Sequence, residues 1–491
     1  MTEPQQIVND LQLALDQSKI EGTGGLSMDK NDFFWTIEQL SQSVNGELFG
    51  PLSEQPVRFD SVSTDTRTMQ PGALYIAIKG EHFDGHRFIE EAIKQGAVAV
   101  LVSEMMETIV PAVLVEDTRI ALGQFAHWHR QQMPVKTLVG ITGSNGKTTT
   151  KTLLQNLFSA VGNTLATEGN LNNDFGVPRT LLNIRPEHEF AIIEMGANHP
   201  GEIEYLTLLA EPDIVLLNNA SDAHIEGFGS LQGVIDTKGE IFLGLNRLHQ
   251  NGVAVINTDS PGFDDWQNTL TKLSVKNVLK FGESDQADVC LKNVLSSEES
   301  IQFDLSVNGN WQTVTMPVLG KHNAMNAAAC VAVCLAANLN WQQVEPGLLS
   351  FSGVAGRLQR HKLANGWLID DSYNANPGSV RAGIDALTSL PGQVALCLGA
   401  MAELGEHTQA LHEEIAAYAK QAGVNLLFVY GAATQTMPAV FGDGAKFYAS
   451  HQQMIEDVKE AINHQQVNHL LIKGSRSAKM EQVVQGVLSA T

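Results

Sequence analysis

Apolar runs of strand length alternate with segments of helical periodicity along most of the chain. Leu138–Ile141 predicts a buried strand, and Thr149–Val161 predicts a helix because its apolar residues share one face. A further helix is predicted at Phe88–Gly96, and further strands at Ala73–Ile78, Ala97–Val102, Phe190–Ile193, Asp213–Leu217, Val253–Ile256, Trp367–Ile369, Val394–Leu398, Asn425–Val429 and Leu470–Ile472. Strands that alternate with helices predict the α/β class, with doubly wound, mostly parallel sheets.

The alternation divides the chain into three predicted domains. Residues 28–113 form a small α/β domain, residues 114–352 a central doubly wound domain, and residues 353–491 a Rossmann-like domain. Residues 1–27 are polar and Gly-rich at their end, and we interpret them as a flexible leader or an added extension. Ligands of such sheets bind at the carboxyl ends of strands, so we expect the active site in a cleft between two α/β domains.

Composition adds an acidic balance to this picture. The 491 residues include 31 Lys and Arg against 54 Asp and Glu, a formal net charge of −23. Such a charge disfavours nucleic acids and membrane surfaces as partners, so anionic substrates need local pockets. No apolar run reaches membrane-spanning length and no signal peptide is recognisable, which predicts a cytoplasmic protein. Buried, reduced thiols are expected at Cys290, Cys330, Cys334 and Cys397.

The run Thr142–Thr149 carries the most specific chemical signal in the chain. It connects a predicted strand to a predicted helix, where backbone N–H groups and the helix dipole converge on one point. There Lys147 can reach the β- and γ-phosphates of a nucleotide, and the Thr148 hydroxyl can hold Mg²⁺. ATP binding is therefore predicted for Gly143, Ser144, Asn145, Gly146, Lys147, Thr148 and Thr149. Only two residues separate the glycines, instead of the usual four, so a Gly-rich turn that binds nothing is the alternative.

Polar residues follow several of the other predicted strands. Glu194 ends a buried strand, and its carboxylate would suit Mg²⁺, although it could instead pair with a nearby base. His224 and Lys238 could act in the site or be an ordinary loop histidine and a solvated helix lysine. Asn323 could be no more than a helix cap. Arg357 could neutralise a transferring phosphoryl group when domains close, or form an interdomain salt bridge.

Taken together, these runs resemble the Mur ligases, three-domain enzymes of peptidoglycan synthesis that form amide bonds at the expense of ATP. The resemblance covers about 31–487, and the family's own phosphate loop has the short glycine spacing seen here. The discriminating runs are 169–173, 194–199, 224–230, 370–377 and 473–477. They are most similar to the branch of the family that joins D-alanyl-D-alanine to UDP-N-acetylmuramoyl-tripeptide.

The resemblance implies ATP and Mg²⁺ as cofactors and assigns residues to the nucleotide and the metal. Adenine would be recognised by His322, Asn323 and Asn326, and the last domain would contact the nucleotide through Arg357 and Asp371. The magnesium ligands would be Thr148, Glu194, His224 and Lys238, with the lysine modified to a carbamate. Catalytic roles fall to Lys147, His224, Lys238 and Arg357.

The resemblance also implies the substrate contacts. The uridine diphosphate end would lie against Ser63, Thr64, Asp65, Arg67, Gly80, Asp84 and His86. The peptide or its acyl phosphate would lie against Asn170, Asn172 and Asn173, and the dipeptide against Tyr373, Asn374, Asn376, Ser475 and Arg476. His199 or His224 would accept the amine proton. We expect a monomer.

One position departs from the family pattern, since Ala400 stands where an acidic residue is common. Another Mur-type or folylpolyglutamate-type ligase, or an ATP-gated switch protein, is the alternative function. The runs 63–67 and 80–86 favour a uridine diphosphate substrate.

Overall fold

The computed structural model describes residues 33–80, 83–221, 225–245 and 251–489, so the predicted leader 1–27 and His224 lie outside the described residues. The chain forms two compact units. The first contains the described residues up to Gly140, with those of Gly162–Asp213 and Glu240–Gly252; the second contains those of Ile141–Val161, Ile214–Gly239 and the chain from Val253 onward. Within the described ranges, no helix has both the length and the apolar character that a membrane crossing requires.

The N-terminal part combines a small, mostly parallel sheet with helices. Its strands are β1 Trp35–Thr36, β2 Glu47–Phe49, β3 Arg58–Phe59, β4 Val62–Ser63, β5 Leu74–Ile76, β6 Ala99–Val102 and β7 Ala112–Leu114. Its helices are α1 Ile37–Ser43, α2 Ile89–Lys94 and α3 Thr118–Gln132, with a 3₁₀ turn at Gly85–Phe88. Five strands form a sheet in the order β2-β7-β6-β5-β4, in which β2 alone runs antiparallel to its neighbour. The predicted helix at Phe88–Gly96 is thus a 3₁₀ turn followed by the shorter α2.

The central part alternates strands and helices, as predicted. Its strands are β8 Thr137–Thr142, β9 Thr164–Ala166, β10 Phe190–Glu194, β11 Ile214–Leu217, β12 Val253–Asn257, β13 Asn277–Gly282, β14 Val289–Ser296, β15 Ile301–Val307 and β16 Asn310–Met316. Its helices are α4 Lys147–Ser159, α5 Gly176–Leu181, α6 Glu202–Ala210, α7 Ile225–Phe228, α8 Leu231–Gly239, α9 Phe263–Lys272, α10 Lys321–Ala336 and α11 Trp341–Ser350, with a 3₁₀ turn at Glu240–Gly244.

The nine central strands form one sheet in the order β16-β15-β14-β13-β12-β11-β8-β10-β9. Parallel pairing joins β9 to β10 and joins β11 through β14, whereas β14, β15 and β16 form an antiparallel meander. This meander was not among the elements predicted from the sequence. Its signal was present, because Asn308 and Gly309 both have positive φ in the turn between β15 and β16, and Asn-Gly is a strong hairpin sequence.

The C-terminal part is a six-stranded, mostly parallel sheet covered on both faces. Its strands are β17 Gln359–Leu363, β18 Gly366–Asp371, β19 Val394–Gly399, β20 Leu426–Tyr430, β21 Ala445–Tyr448 and β22 His469–Lys473. Its helices are α12 Pro377–Thr388, α13 Thr408–Ala422, α14 Met437–Phe441, α15 His451–Asn463 and α16 Glu481–Leu488, with 3₁₀ turns at Gly405–His407, Ala432–Thr434 and Arg476–Ala478. The order is β17-β18-β22-β19-β20-β21, and only β17 pairs antiparallel.

Alternate residues of the C-terminal strands enter two separate apolar clusters. On β22, Leu471 belongs to one cluster while Leu470 and Ile472 belong to the other. Helices therefore cover both faces of this sheet, as expected of the predicted Rossmann-like domain.

The four cysteines are free and buried, as predicted. Cys330 and Cys334 lie on α10, where burial raises the pKa of both thiols. These groups therefore act as small apolar side chains of the core.

Candidate active site

The loop between β8 and α4 has the geometry expected of a phosphate-binding turn. Gly146 has φ +79° and is the N-cap of α4, which begins at Lys147, earlier than the predicted Thr149. A Cβ at Gly146 would lie 2.5 Å from Asn326 Oδ1 and 2.6 Å from Asn218 Nδ2. Glycine is therefore required here both by the backbone angle and by the packed carboxamides beside it.

The two side chains that follow Gly146 engage different partners. The Lys147 ammonium donates to the carbonyl oxygens of Gly143 at 2.6 Å and Ser144 at 3.4 Å, so it lies over the loop. The Thr148 hydroxyl oxygen accepts from Arg357 Nη2 at 3.3 Å. A cation therefore lies at the first turn of α4, contributed by the segment that precedes β17.

Amide side chains hold the loop from the end of β11. Asn219 accepts from Ser144 N through its carbonyl at 3.0 Å and from Asn145 N through Oδ1 at 2.9 Å. The carbonyl oxygen of Asn145 accepts from Asn218 Nδ2 at 3.0 Å and from Asn219 Nδ2 at 3.1 Å. The sequence places both asparagines only at the end of a strand, whereas the structure shows that they fix the loop.

The residues predicted to recognise adenine divide between surface and interior. His322 is exposed near the start of α10, whereas Asn323 and Asn326 are buried. Asn326 accepts from Asn218 Nδ2 at 3.1 Å and donates to Asn323 Oδ1 at 3.1 Å, and Asn323 donates to the Leu319 carbonyl at 2.7 Å. The N-cap of α10 is Gly320, so Asn323 is not the helix cap considered from the sequence.

The segment between β18 and α12 brings most of the predicted C-terminal residues together. Asp371 is buried and accepts from Lys473 Nζ at 2.5 Å, an ion pair between adjacent ends of β18 and β22. Lys473 also donates to the Asn374 carbonyl at 3.0 Å, and burial lowers the pKa of its ammonium. The Tyr373 ring lies 4.3 Å from the Arg357 guanidinium carbon. In the sequence, Lys473 is only the first residue of the run 473–477, and its partner could not be predicted before β18 and β22 were seen as neighbours.

The two predicted residues after β22 serve local contacts. Ser475 Oγ donates to the Ala400 carbonyl at 2.6 Å, and Arg476 forms an exposed ion pair with Glu481 at 3.3 Å. Ala400 N in turn donates to the Tyr430 carbonyl at 2.9 Å. Both backbone groups of Ala400 are thus engaged, a role that does not depend on the acidic side chain common at this position.

In the first unit, Glu194 ends β10 as predicted and is 2% exposed. Its backbone N donates to Thr167 Oγ1 at 2.9 Å, and its Oε1 accepts from Asn172 Nδ2 at 2.8 Å. Asn173 accepts from Gly176 N at 3.0 Å at the start of α5, and Asn170 is exposed. The loop that carries these asparagines is held by an ion pair between Arg119 and Asp174 that the sequence did not reveal.

The remaining predicted catalytic groups are a buried lysine and a histidine. Lys238 is 1% exposed, and its Nζ lies 5.2 Å from the centre of the Phe228 ring, so it is not a solvated helix lysine. His199 is exposed and its Nδ1 lies 3.1 Å from Glu202 Oε1. The described part of the chain has no group of three or more His, Cys, Asp or Glu side chains placed to hold a metal ion.

The loops predicted to bind uridine diphosphate follow the parallel neighbours β4 and β5. In the first loop, Asp65 accepts from Arg67 Nη2 at 2.6 Å, which lowers the pKa of the carboxyl to about 2, and Asp65 N donates to Ser63 Oγ at 3.1 Å. Thr64 lies between these residues, half-buried.

In the second loop, His86 Nε2 accepts from Ser103 N at 3.0 Å, so Nδ1 carries the proton and donates to Asp84 at 2.8 Å. Gly80 is exposed and its N donates to the Phe83 carbonyl at 2.8 Å. The structure thus places both predicted loops at the carboxyl ends of adjacent strands, each with its own internal hydrogen bonds.

Three family models match successive parts of the chain. They are the Mur ligase family catalytic domain over residues 58–130, the Mur ligase middle domain over 141–334, and the Mur ligase glutamate ligase domain over 356–476. The UDP-N-acetylmuramoyl-tripeptide–D-alanyl-D-alanine ligase of Escherichia coli (strain K12) is 41% identical over 454 residues, which cover 92% of this chain and 98% of that protein. The chain belongs to the Mur ligase family.

Solved structures agree with this membership. A crystal structure of MurF from Acinetobacter baumannii matches this Mur ligase with a TM-score of 0.87 and 30% identity, covering 93% of this chain and 99% of the other. MurF from Thermotoga maritima, solved in complex with ADP, matches with a TM-score of 0.77 and 27% identity, covering 87% and 97%. The three-domain α/β architecture predicted for this Mur ligase is therefore confirmed.

Proposed function

We propose that this Mur ligase uses ATP to join D-alanyl-D-alanine to UDP-N-acetylmuramoyl-tripeptide. Its relatives of that name match it along nearly their whole length. The observation that carries the proposal is a contact between the predicted ATP loop, residues 142–149, and the predicted dipeptide segment, residues 372–376 between β18 and α12. There Asn376 Nδ2 donates to Asn145 Oδ1 at 2.8 Å. A ligase needs such neighbouring sites, because the group activated by the nucleotide must meet the incoming amine.

The first step activates the terminal carboxylate of the tripeptide. One carboxylate oxygen attacks the γ-phosphorus of ATP in line, the bond to the β-phosphate oxygen breaks, and ADP leaves. Lys147 turns from the loop carbonyls to the phosphate oxygens, and Arg357, already at Thr148, stabilises the charge on the transferring group. The product is an acyl phosphate.

The second step forms the amide. The amine of the dipeptide attacks the acyl carbon, its proton passes to His199 or His224, and the tetrahedral intermediate expels inorganic phosphate. We propose that the dipeptide is faced by Tyr373, Asn374, Ser475 and Arg476, and that Asn376 ends the segment that carries Tyr373 and Asn374. Because acyl phosphates hydrolyse readily, these residues must also keep water from the acyl carbon.

Two of the residues proposed to hold magnesium each carry an oxygen that suits the ion. Glu194 supplies a buried carboxylate and Thr148 a hydroxyl, both of which are hard oxygen ligands. Mg²⁺ retains several waters and takes phosphate oxygens, so few protein ligands are needed. When bound, the ion would neutralise phosphate charge. His224 is proposed as a further ligand.

Lys238 is proposed to carry a carbamate. Burial to 1% exposure beside an aromatic ring makes the charged ammonium of Lys238 costly, whereas a carbamate would supply an anion toward the metal. We expect activity to fall when bicarbonate is removed, most strongly at low Mg²⁺, and the intact mass to show the adduct when it is restored. Undiminished activity with an unmodified mass would contradict the carbamate.

A coupled phosphate assay tests the function itself. Phosphate release should require ATP, UDP-N-acetylmuramoyl-tripeptide and D-alanyl-D-alanine together, and mass spectrometry should show the pentapeptide product. Release that responds to glutamate and a folate instead would favour the folylpolyglutamate-type alternative. Turnover that needs no small-molecule acceptor would favour a switch protein.

The remaining assignments are parts of the same proposal. We place the domain boundaries at 28–113, 114–352 and 353–491. The middle and glutamate ligase models fall within the second and third ranges, whereas the catalytic-domain model, over residues 58–130, begins in the first range and extends into the second. A monomer in the cytoplasm, without nucleic-acid or membrane partners, suits substrates that are small and water-soluble.

A further inference from the structure

The predicted dipeptide segment is linked to the ATP loop by non-covalent contacts near both ends of the segment. Near its start, the Tyr373 ring packs against the Arg357 guanidinium, which donates to Thr148 in the first turn of α4. At its end, Asn376 Nδ2 donates to Asn145 Oδ1 in the loop itself. The second contact joins two side chains directly, without a third residue between them.

The amide of Asn376 has its orientation fixed by the helix that follows. Asn376 is the N-cap of α12: its Oδ1 accepts from Ser379 N at 2.8 Å, and its backbone N donates to Ser379 Oγ at 3.0 Å. Because Oδ1 is used by this capping box, Nδ2 must face Asn145. The Asn376 side chain therefore presents a donor, and only a donor, to the loop.

The carboxamide of Asn145 is fixed in the matching orientation. Its Oδ1 accepts from Asn376, and its Nδ2 donates to Ser221 Oγ at 2.9 Å. The backbone N and O of Asn145 are held by Asn218 and Asn219. A Cβ placed on Gly378 would lie 3.6 Å from Asn145 Nδ2 and 3.7 Å from Ser221 Oγ, so the start of α12 packs directly against this pair.

We infer that Asn376 is a positioning residue, whose hydrogen bond to Asn145 lets the nucleotide loop set the position of the dipeptide segment. The inference rests on the proposed function, since it takes the segment to bind D-alanyl-D-alanine. Asn145 needs no contact with the dipeptide to act in this way. Loss of its side chain should therefore weaken dipeptide use through Asn376.

The variant Asn376→Ser separates the helix-capping role of Asn376 from its hydrogen bond to Asn145. Serine is an equally good N-cap and keeps the acceptor for Ser379 N, but its short side chain cannot reach Asn145. The matched control is Asn340→Ser, because Asn340 caps α11 with the same capping-box geometry and is exposed. Both variants should keep the thermal midpoint of the wild type within a few degrees.

The expected result is a selective change in steady-state constants. Asn376→Ser should raise KM for D-alanyl-D-alanine about threefold to tenfold, the range for one lost hydrogen bond, with a smaller change in KM for ATP. Asn145→Ala should raise the same dipeptide KM, and the double variant should be no worse than the worse single variant. Asn340→Ser should match the wild type.

Two outcomes would overturn the inference. One is a dipeptide KM that is unchanged in Asn376→Ser; the other is multiplication of the two single effects in the double variant, which shows independent roles. Failure of the proposed function is distinguishable, because the wild-type chain would then form no pentapeptide product. A general loss of fold in Asn376→Ser would lower its thermal midpoint, whereas Asn340→Ser should keep the midpoint of the wild type.

Discussion

At the scale of the residue, single side chains of this Mur ligase have defined hydrogen-bonding states. His129 is fully buried, with Nδ1 accepting from Trp35 Nε1 at 3.1 Å and Nε2 donating to the Ile184 carbonyl at 2.9 Å. Burial, with a smaller contribution from Arg185 and Arg130, lowers the pKa of His129 to about 3. The folded protein therefore keeps this imidazole neutral where an unfolded chain would protonate it.

This histidine predicts a pH-dependent stability. Because the folded pKa lies below the ordinary 6.5, its contribution is fully present above pH 6.5 and falls as pH decreases toward 3. The loss should be about 1.4 kcal/mol per pH unit below 6.5 for this one site. Urea unfolding at several pH values should show a shallower decline in His129→Gln than in the wild type, and identical slopes would contradict the assignment.

Lys147 is expected to be indispensable for ligation and dispensable for folding. Its ammonium donates to carbonyls of its own loop, so Lys147→Ala should leave the thermal midpoint nearly unchanged. Turnover should fall by at least about 100-fold, the scale for losing a preorganised charge on a transferring group. Phosphate release measures this, with the exposed Lys276→Ala as control. Ordinary turnover would refute the phosphate role.

At the scale of the element, the positions of the strands along the chain could be predicted from the sequence, but the order of the strands within each sheet could not. Buried apolar runs such as Leu138–Ile141 and Phe190–Ile193 became strands within a residue of the predicted ends, because burial on both faces demands continuous apolar sequence. The order of those strands and the Lys473–Asp371 ion pair come from tertiary packing. The loop at 142–149 could also be predicted from local sequence. The hydrogen bonds that hold it come from Asn218, Asn219 and Asn376, which lie far from it in sequence, so they could not be predicted.

The turn from β8 into α4 gives a test at this scale. Gly146→Ala would force a Cβ against two carboxamides at a positive φ, whereas Gly423→Ala meets nothing within 4 Å at φ +99°. Both should lose about 1 kcal/mol of stability from the backbone angle. Only Gly146→Ala should also weaken ADP binding, by about tenfold or more, in titration calorimetry. Equal affinities in the two variants would show that the packed carboxamides do not shape the loop.

At the scale of the whole molecule, the proposed reaction transfers one oxygen atom from the tripeptide carboxylate to phosphate, and this atom can be traced. If the tripeptide carboxylate carries oxygen-18 in both positions, one labelled oxygen should appear in phosphate and the other in the new amide. Mass spectrometry of both products checks this, with labelled water and unlabelled substrate as control. Label that stays wholly in the peptide would exclude the acyl phosphate.

The burial of all four native thiols has a practical consequence. Maleimide reagents should leave the folded chain untouched, so a cysteine introduced at an exposed position becomes a unique attachment point without removal of the native ones. One fluorophore placed in each compact unit would then report the separation between the units while the substrates are added one at a time. Turnover by the labelled enzyme could be followed in the same cuvette.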